Sequence, residues 1–287
     1  MTKIRDRIYL YAAVPGAYHT PGYALPGVNK MEPAEACREL GLNKAVMDVT
    51  LRGPYYPFDP ESEKLSFLDE LIWTVIPSGG VHRNEDGCFD MEEIIRQIQR
   101  FPNVSGVFCD DFGVRRRSFC PPERIRHMKE CITASTPRKQ EMWMVVYNYD
   151  LLGTDTPLVY PIWPYLPIVD VMSFWTWQSF HLKVLREHLD YLTGKIPGKK
   201  LNLGVYLWDF SRGKPLSDEF MQMQLDVVLE RFRAGKLDSI SLCSNCIMGI
   251  GLETEDTFRR WLDKYGDEEI QGQILDAGET VKDNDRV

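Results

Sequence analysis

The sequence predicts a single (β/α)8 barrel, and three observations predict it. Eight apolar, β-branched or aromatic runs recur along the 287 residues. Polar turns and helix-period segments separate most of them. The runs are near-continuously apolar, as strands covered on both faces by helices must be. Eight such units in about 265 residues match the usual size of a closed barrel. An open doubly wound sheet would put a dinucleotide-type glycine turn after its first strand. The stretch found there, VPGAYHTPGYALPG (14–27), has its glycines at other spacings and carries three prolines.

In chain order, the first strand is IYLYAAV (8–14) and its helix is EPAEACREL (32–40), opened by Glu-Pro and closed by Gly41. The second strand, KAVMDVTL (44–51), leads to the helix ESEKLSFLDE (61–70), and the third, LIWTVIP (71–77), to DMEEIIRQIQRF (90–101). VSGVFCD (104–110) is the fourth strand, followed by the helix PERIRHMKECIT (122–133). The fifth, MWMVVYN (142–148), is followed by LLGTDTPLVYPIWPYLP (151–167), whose four prolines make it the weakest helical segment. VDVMSFW (169–175) precedes the helix HLKVLREHLDYLTG (181–194). LNLGVYLW (201–208) precedes SDEFMQMQLDVVLERFRAG (217–235), and SISLCS (239–244) precedes EDTFRRWLDKYG (255–266). Residues 1–266 are therefore expected to form the barrel domain, and the charged, aromatic-free stretch 267–287 a flexible acidic tail.

A formal net charge of −8 and a pI near 5.3 argue against nucleic acid or an anionic membrane surface as partner, because both would repel the protein at long range. A neutral or cationic small ligand fits better. No apolar run reaches the length of a membrane span, and the start, MTKIRDRIYLYAAVPG, lacks the pattern of a secretory signal. Seven cysteines without framework spacing read as free thiols of a reducing compartment, so the expected location is the cytoplasm.

In a barrel the functional residues follow the strands, at the C-terminal face. That rule gives Tyr18 and His19 after the first strand, Arg52, Tyr55 and Tyr56 after the second, and Ser78 and His82 after the third. The fourth gives Asp110 and Asp111, and the fifth Asn148, Tyr149 and Asp150. After the sixth come Trp175, Trp177 and Gln178, after the seventh Trp208 and Asp209, and after the eighth Ser244, Asn245 and Cys246. Aromatic faces stack on the C–H faces of sugar rings, while carboxylates and amides pair with hydroxyls, so this rim suits a carbohydrate. Cleaving a glycosidic bond usually takes two carboxyl groups, one to protonate the leaving oxygen and one to act as nucleophile or base. FCDDFG (108–113) and LWDF (207–210) each put an acid at a strand end. Neighbouring strand residues face opposite ways, so one of Asp110 and Asp111 is expected to face the mouth. Its neighbour would cap the next turn or hold an arginine from the run 115–117.

GVFCDDFG is similar to the GVF-D-D strand ends of glycoside-hydrolase-like barrels, and YLWDF resembles the aromatic-plus-acid end of a late strand in them. The resemblance spans most of the chain as architecture and two short motifs as chemistry. It implies Asp110 or Asp111 as acid/base and Asp209 as nucleophile or second base, acting on a small saccharide without a cofactor. In the large clan with those two positions the residues are glutamates, whereas this chain has aspartates. Two alternatives remain open: a sugar-binding barrel without turnover, and a phosphate-binding lyase or isomerase using DFSRGKP (209–215) and the glycines of SNCIMGIGLE (244–253). No H-x-H or H-E-x-x-H pattern calls for a metal, and Cys243 and Cys246 read as core thiols.

Overall fold

The computed structural model describes residues 1–78, 90–113, 117, 120–151 and 161–270. Its centre is a closed ring of eight parallel strands. These are β1 (Ile8–Ala12), β2 (Lys44–Met47), β3 (Glu70–Ile76), β4 (Val104–Cys109), β5 (Glu141–Tyr147), β6 (Val171–Trp175), β7 (Lys200–Tyr206) and β8 (Ser239–Cys243), with β8 closing on β1. Each is almost wholly buried, which is the reason their sequences read as continuous apolar runs.

Around the ring lie α1 (Pro33–Leu40), α2 (Asp59–Lys64), α3 (Met91–Arg100), α4 (Pro122–Ala134), α5 (Leu185–Lys195), α6 (Asp218–Arg233) and α7 (Glu253–Tyr265). Local signals set their ends. A Glu32–Glu35 capping box and Pro33 open α1, and Gly41, at φ 63°, closes it in the left-handed region. Ser217 opens α6 by accepting the Phe220 N–H. Among the described residues after β5 there are a single turn, Asn148–Leu151, and a 3-10 turn, Trp163–Tyr165, the latter in the proline-rich part of the stretch.

Of the boundaries that differ from the sequence reading, two bear on the site. β2 stops at Met47 rather than running to residue 51. The Asp48 N–H still bonds to Ala12 O (2.7 Å), but the Val49 N–H goes to the Thr74 hydroxyl (2.8 Å), and Thr50–Gly53 then folds back on itself. Likewise β7 ends at Tyr206, and Trp208–Asp209 leaves the barrel to pair antiparallel with Lys214–Pro215. At the other end of the molecule, Thr2–Lys3 pairs with Glu269–Ile270, joining the start of the described chain to its end.

Candidate active site

β4 delivers the acids. The Asp110 N–H extends the sheet by bonding to Ile76 O (2.9 Å), and its buried carboxylate accepts a 2.5 Å hydrogen bond from the Tyr11 hydroxyl on β1. Asp111 takes φ 45°, in the left-handed region that Asp tolerates better than most residues. That turn cancels the strand alternation. Both carboxyl groups therefore line the same pocket, where only one was expected, and Asp111 accepts a 2.6 Å bond from the Tyr147 hydroxyl.

The pocket has a volume of about 260 Å3, near the small end of the roughly 300–1,000 Å3 typical of ligand sites. Trp175, Tyr206 and Cys243 are the last residues of their strands, and Tyr11 is the last but one of its own. Cys243 is in register with both Tyr11 and Tyr206. Tyr18, Tyr23 and Phe210 build one wall, with ring centroids 4.9–6.3 Å apart in edge-to-face contacts, and Tyr147 and Trp177 contribute to another. Trp175 is fixed from below: its indole N–H donates to Ser173 (2.8 Å), which donates to Asn202 (2.7 Å). Its ring lies where a Cβ on Gly204 would be, 2.0 Å away, so β7 has a glycine there because any side chain would strike the indole.

Electrostatically the pocket holds negative charge that burial resists. Burial, then the Asp111 and Asp48 carboxylates, push the Asp110 carboxyl well above the usual carboxylate range. Asp48 is 0% exposed behind the wall, where its carboxylate accepts the Ser78 hydroxyl (2.6 Å). Burial raises it to about 7, against the pull of the Ser78 and Thr74 bonds. Tyr11 and Tyr147 are pushed up mainly by burial, so both hydroxyls keep their protons and donate. Burial also raises the Cys243 and Cys246 thiols, Cys246 to about 11, so neither is a ready thiolate.

The structure brings together Asp110, Asp111, Tyr18, Arg52, Trp175 and Trp177. It does not bring Asp209 to them. That carboxylate is buried under hydrogen bonds from Ser179 (2.5 Å) and Ser211 (2.7 Å) and is outside the pocket lining, because the hairpin carries it off the end of β7. Trp208 is buried with its N–H on Tyr23 O (2.9 Å), and Tyr149 stacks behind Tyr147. Asn148 accepts the Trp177 N–H (3.0 Å) and donates to Gln178 (3.1 Å), so both amides hold the β6 loop. Asn245 clamps the first loop through Ala13 and Met31 (2.9–3.0 Å), and His19 Nε2 lies 3.1 Å from Cys246 O and 3.2 Å from Asn29 N. Tyr55 is 67% exposed, its hydroxyl on Leu51 O (2.9 Å). His82 lies outside the described residues.

Arg117 of the arginine run pairs with Asp150 (2.6 Å, each side chain 1% exposed), while Arg115 and Arg116 lie outside the described residues. In the loop expected to cradle phosphate, the Gly249 N–H donates to Glu255 (2.7 Å), so a carboxylate already sits at that nest. Sequence reasoning missed Asp48, because KAVMDVTL reads as one strand and hides the acid inside it.

No sequence profile of a known family and no curated protein matches the chain. Solved structures do. Against the spore cortex-lytic enzyme SleL of Bacillus megaterium the TM-score is 0.57 at 11% identity, covering 95% of this chain and 76% of that one. For a GH5_18 from Bifidobacterium longum subsp. infantis it is 0.57 at 12% identity, covering 95% and 81%. For a glycoside hydrolase family 18 N-acetylglucosaminidase of Paenibacillus barengoltzii it is 0.52 at 10% identity, covering 90% and 100%. At these identities the likeness is one of fold: this is a (β/α)8 barrel of the kind that glycoside hydrolases use.

Proposed function

We propose that the protein is a glycoside hydrolase of a small saccharide or glycoside, with Asp110 and Asp111 carrying the chemistry. The observation behind this is a pair of adjacent carboxylates, each fixed by a tyrosine hydroxyl, in an aromatic pocket of about 260 Å3. Burial, then repulsion from Asp111 and Asp48, holds the Asp110 carboxyl protonated well above the usual carboxylate range, as a general acid requires. Asp110, whose carboxyl is the one held protonated, protonates the glycosidic oxygen. Asp111, the more exposed of the two and held by Tyr147, orients the sugar and faces the positive charge at C1.

Among the described residues, the lining contains no carboxylate besides this adjacent pair, and Asp209 is outside it. A nucleophile supplied by the substrate fits that arrangement, as in the substrate-assisted glycosidases. In an N-acetyl amino sugar the acetamido oxygen bonds to C1 as the C1–O bond breaks and Asp110 gives its proton to the leaving oxygen. Water then attacks C1, returns a proton to Asp110 and reopens the ring, with the anomeric configuration retained. The N-acetylglucosaminidase among the similar folds is consistent with this substrate class.

The test is a set of aryl 2-acetamido-2-deoxyglycosides with zero to three fluorines on the acetyl group. Because fluorine weakens the carbonyl oxygen as a nucleophile, kcat/KM is expected to fall with each one, with retention seen by NMR. Equal rates across the series, or inversion, would exclude the substrate-assisted step. Sugar binding without any turnover would make the protein a binder.

A further inference from the structure

We propose that Ser78 contacts the sugar as a hydrogen-bond acceptor, and that the buried Asp48 is the positioning residue that fixes it in that role. This rests on the pocket being a saccharide site. Ser78 follows β3, lines the pocket beside Asp110 and Asp111, and is half-buried. Among the described residues its hydroxyl hydrogen goes to Asp48 (2.6 Å), and its backbone N–H reaches the other oxygen of the same carboxylate (3.4 Å). A serine hydroxyl has one hydrogen and two lone pairs. Above a pH of about 7, where Asp48 is ionised and can only accept, the hydrogen is committed backwards and what faces the pocket is an acceptor.

Asp48 makes that commitment durable. It is wholly buried at the end of β2, and β3 packs beside it with Thr74 and Ser78. The other charged groups acting on it across the pocket include Asp111 and Asp110, which are themselves held by Tyr147 and Tyr11. Sugar hydroxyls and an acetamide N–H are donors, so the pocket selects a saccharide with a donor at the Ser78 contact. A site built around a specific hydrogen bond rejects an analogue lacking that donor, because a buried acceptor is then left unpaired.

The experiment measures kcat/KM at pH 8, where Asp48 is ionised, for wild type, Ser78→Ala, Asp48→Leu and Asp48→Asn on the best-turned-over 4-nitrophenyl glycoside and its monodeoxy analogues. Ser78→Ala is expected to cost about tenfold on the parent and nothing on the one analogue that lacks the partner donor. Asp48→Leu should cost the same and add nothing to Ser78→Ala. Asp48→Asn keeps an oxygen that accepts the Ser78 hydrogen and should restore most of the activity. Both Asp48 substitutions remove the negative charge near Asp110, so the difference between them reads the Ser78 route alone. Equal losses by Ser78→Ala on every analogue, or equal losses by Leu and Asn at position 48, would overturn the proposal. Calorimetric titration of the same variants with the corresponding free monosaccharides separates this from the hydrolase reading. Binding with the same pattern but without turnover keeps the Ser78 contact and sinks hydrolysis. Binding that ignores Ser78 sinks the contact, and absence of binding by any sugar sinks both.

Discussion

At the scale of single residues, the acids are where the fold gives up stability. Asp48 has its carboxyl raised to about 7 from an ordinary value of 3.8, so between those limits the folded chain holds a proton that the unfolded chain has lost. The folded state binds more protons there, so stability falls as pH rises through the window, by up to about 1.4 kcal/mol per pH unit for one such group. Below the lower limit the contribution is neutral, and above about 7 the whole penalty is present. Asp48→Asn is therefore expected to raise Tm at pH 8, with little gain at pH 4, in thermal melts at the two values. A gain of equal size at both would contradict the assignment. Arg117 and Asp150 make the opposite case, a buried pair at 2.6 Å behind the site. Asp150→Ala leaves a guanidinium that is 1% exposed and should cost about 3–5 kcal/mol in chemical denaturation.

At the scale of elements, the site depends on where strands stop. Tyr18, Arg52, Trp175, Trp177 and the Asp110–Asp111 pair were legible because each follows an apolar run closely. Asp48 was not, because KAVMDVTL reads as one strand. What ends that strand is a tertiary event, the Thr74 hydroxyl of β3 taking the Val49 N–H. Asp209 was misplaced for a related reason: LNLGVYLWDF carries no mark of the hairpin with Lys214–Pro215 that draws its last residues aside. The shared facing of both strand-four acids depends on one left-handed residue, Asp111, which strand alternation cannot foresee. Element packing gives a sharper check at Gly204. A methyl group there would sit 2.0 Å from the Trp175 ring, so Gly204→Ala should lower Tm by several degrees and weaken sugar binding more than a surface Gly→Ala change, read by calorimetry.

At the scale of the whole molecule, eight strands alternating with helical segments were enough to predict the closed ring, because local period and burial agree along most of the chain. The ring gathers its last strand positions into one aromatic cup with carboxylates along one edge. The central claim is that this edge, and not the acid after β7, breaks the glycosidic bond. The most direct measurement is kcat/KM of wild type, Asp110→Asn, Asp111→Asn and Asp209→Asn on one activated aryl glycoside, with folding confirmed by circular dichroism. Losses of about 100-fold or more are expected for each of the first two variants, while Asp209→Asn stays within a few-fold of wild type. Turnover that survives both strand-four substitutions and vanishes with Asp209→Asn would contradict it.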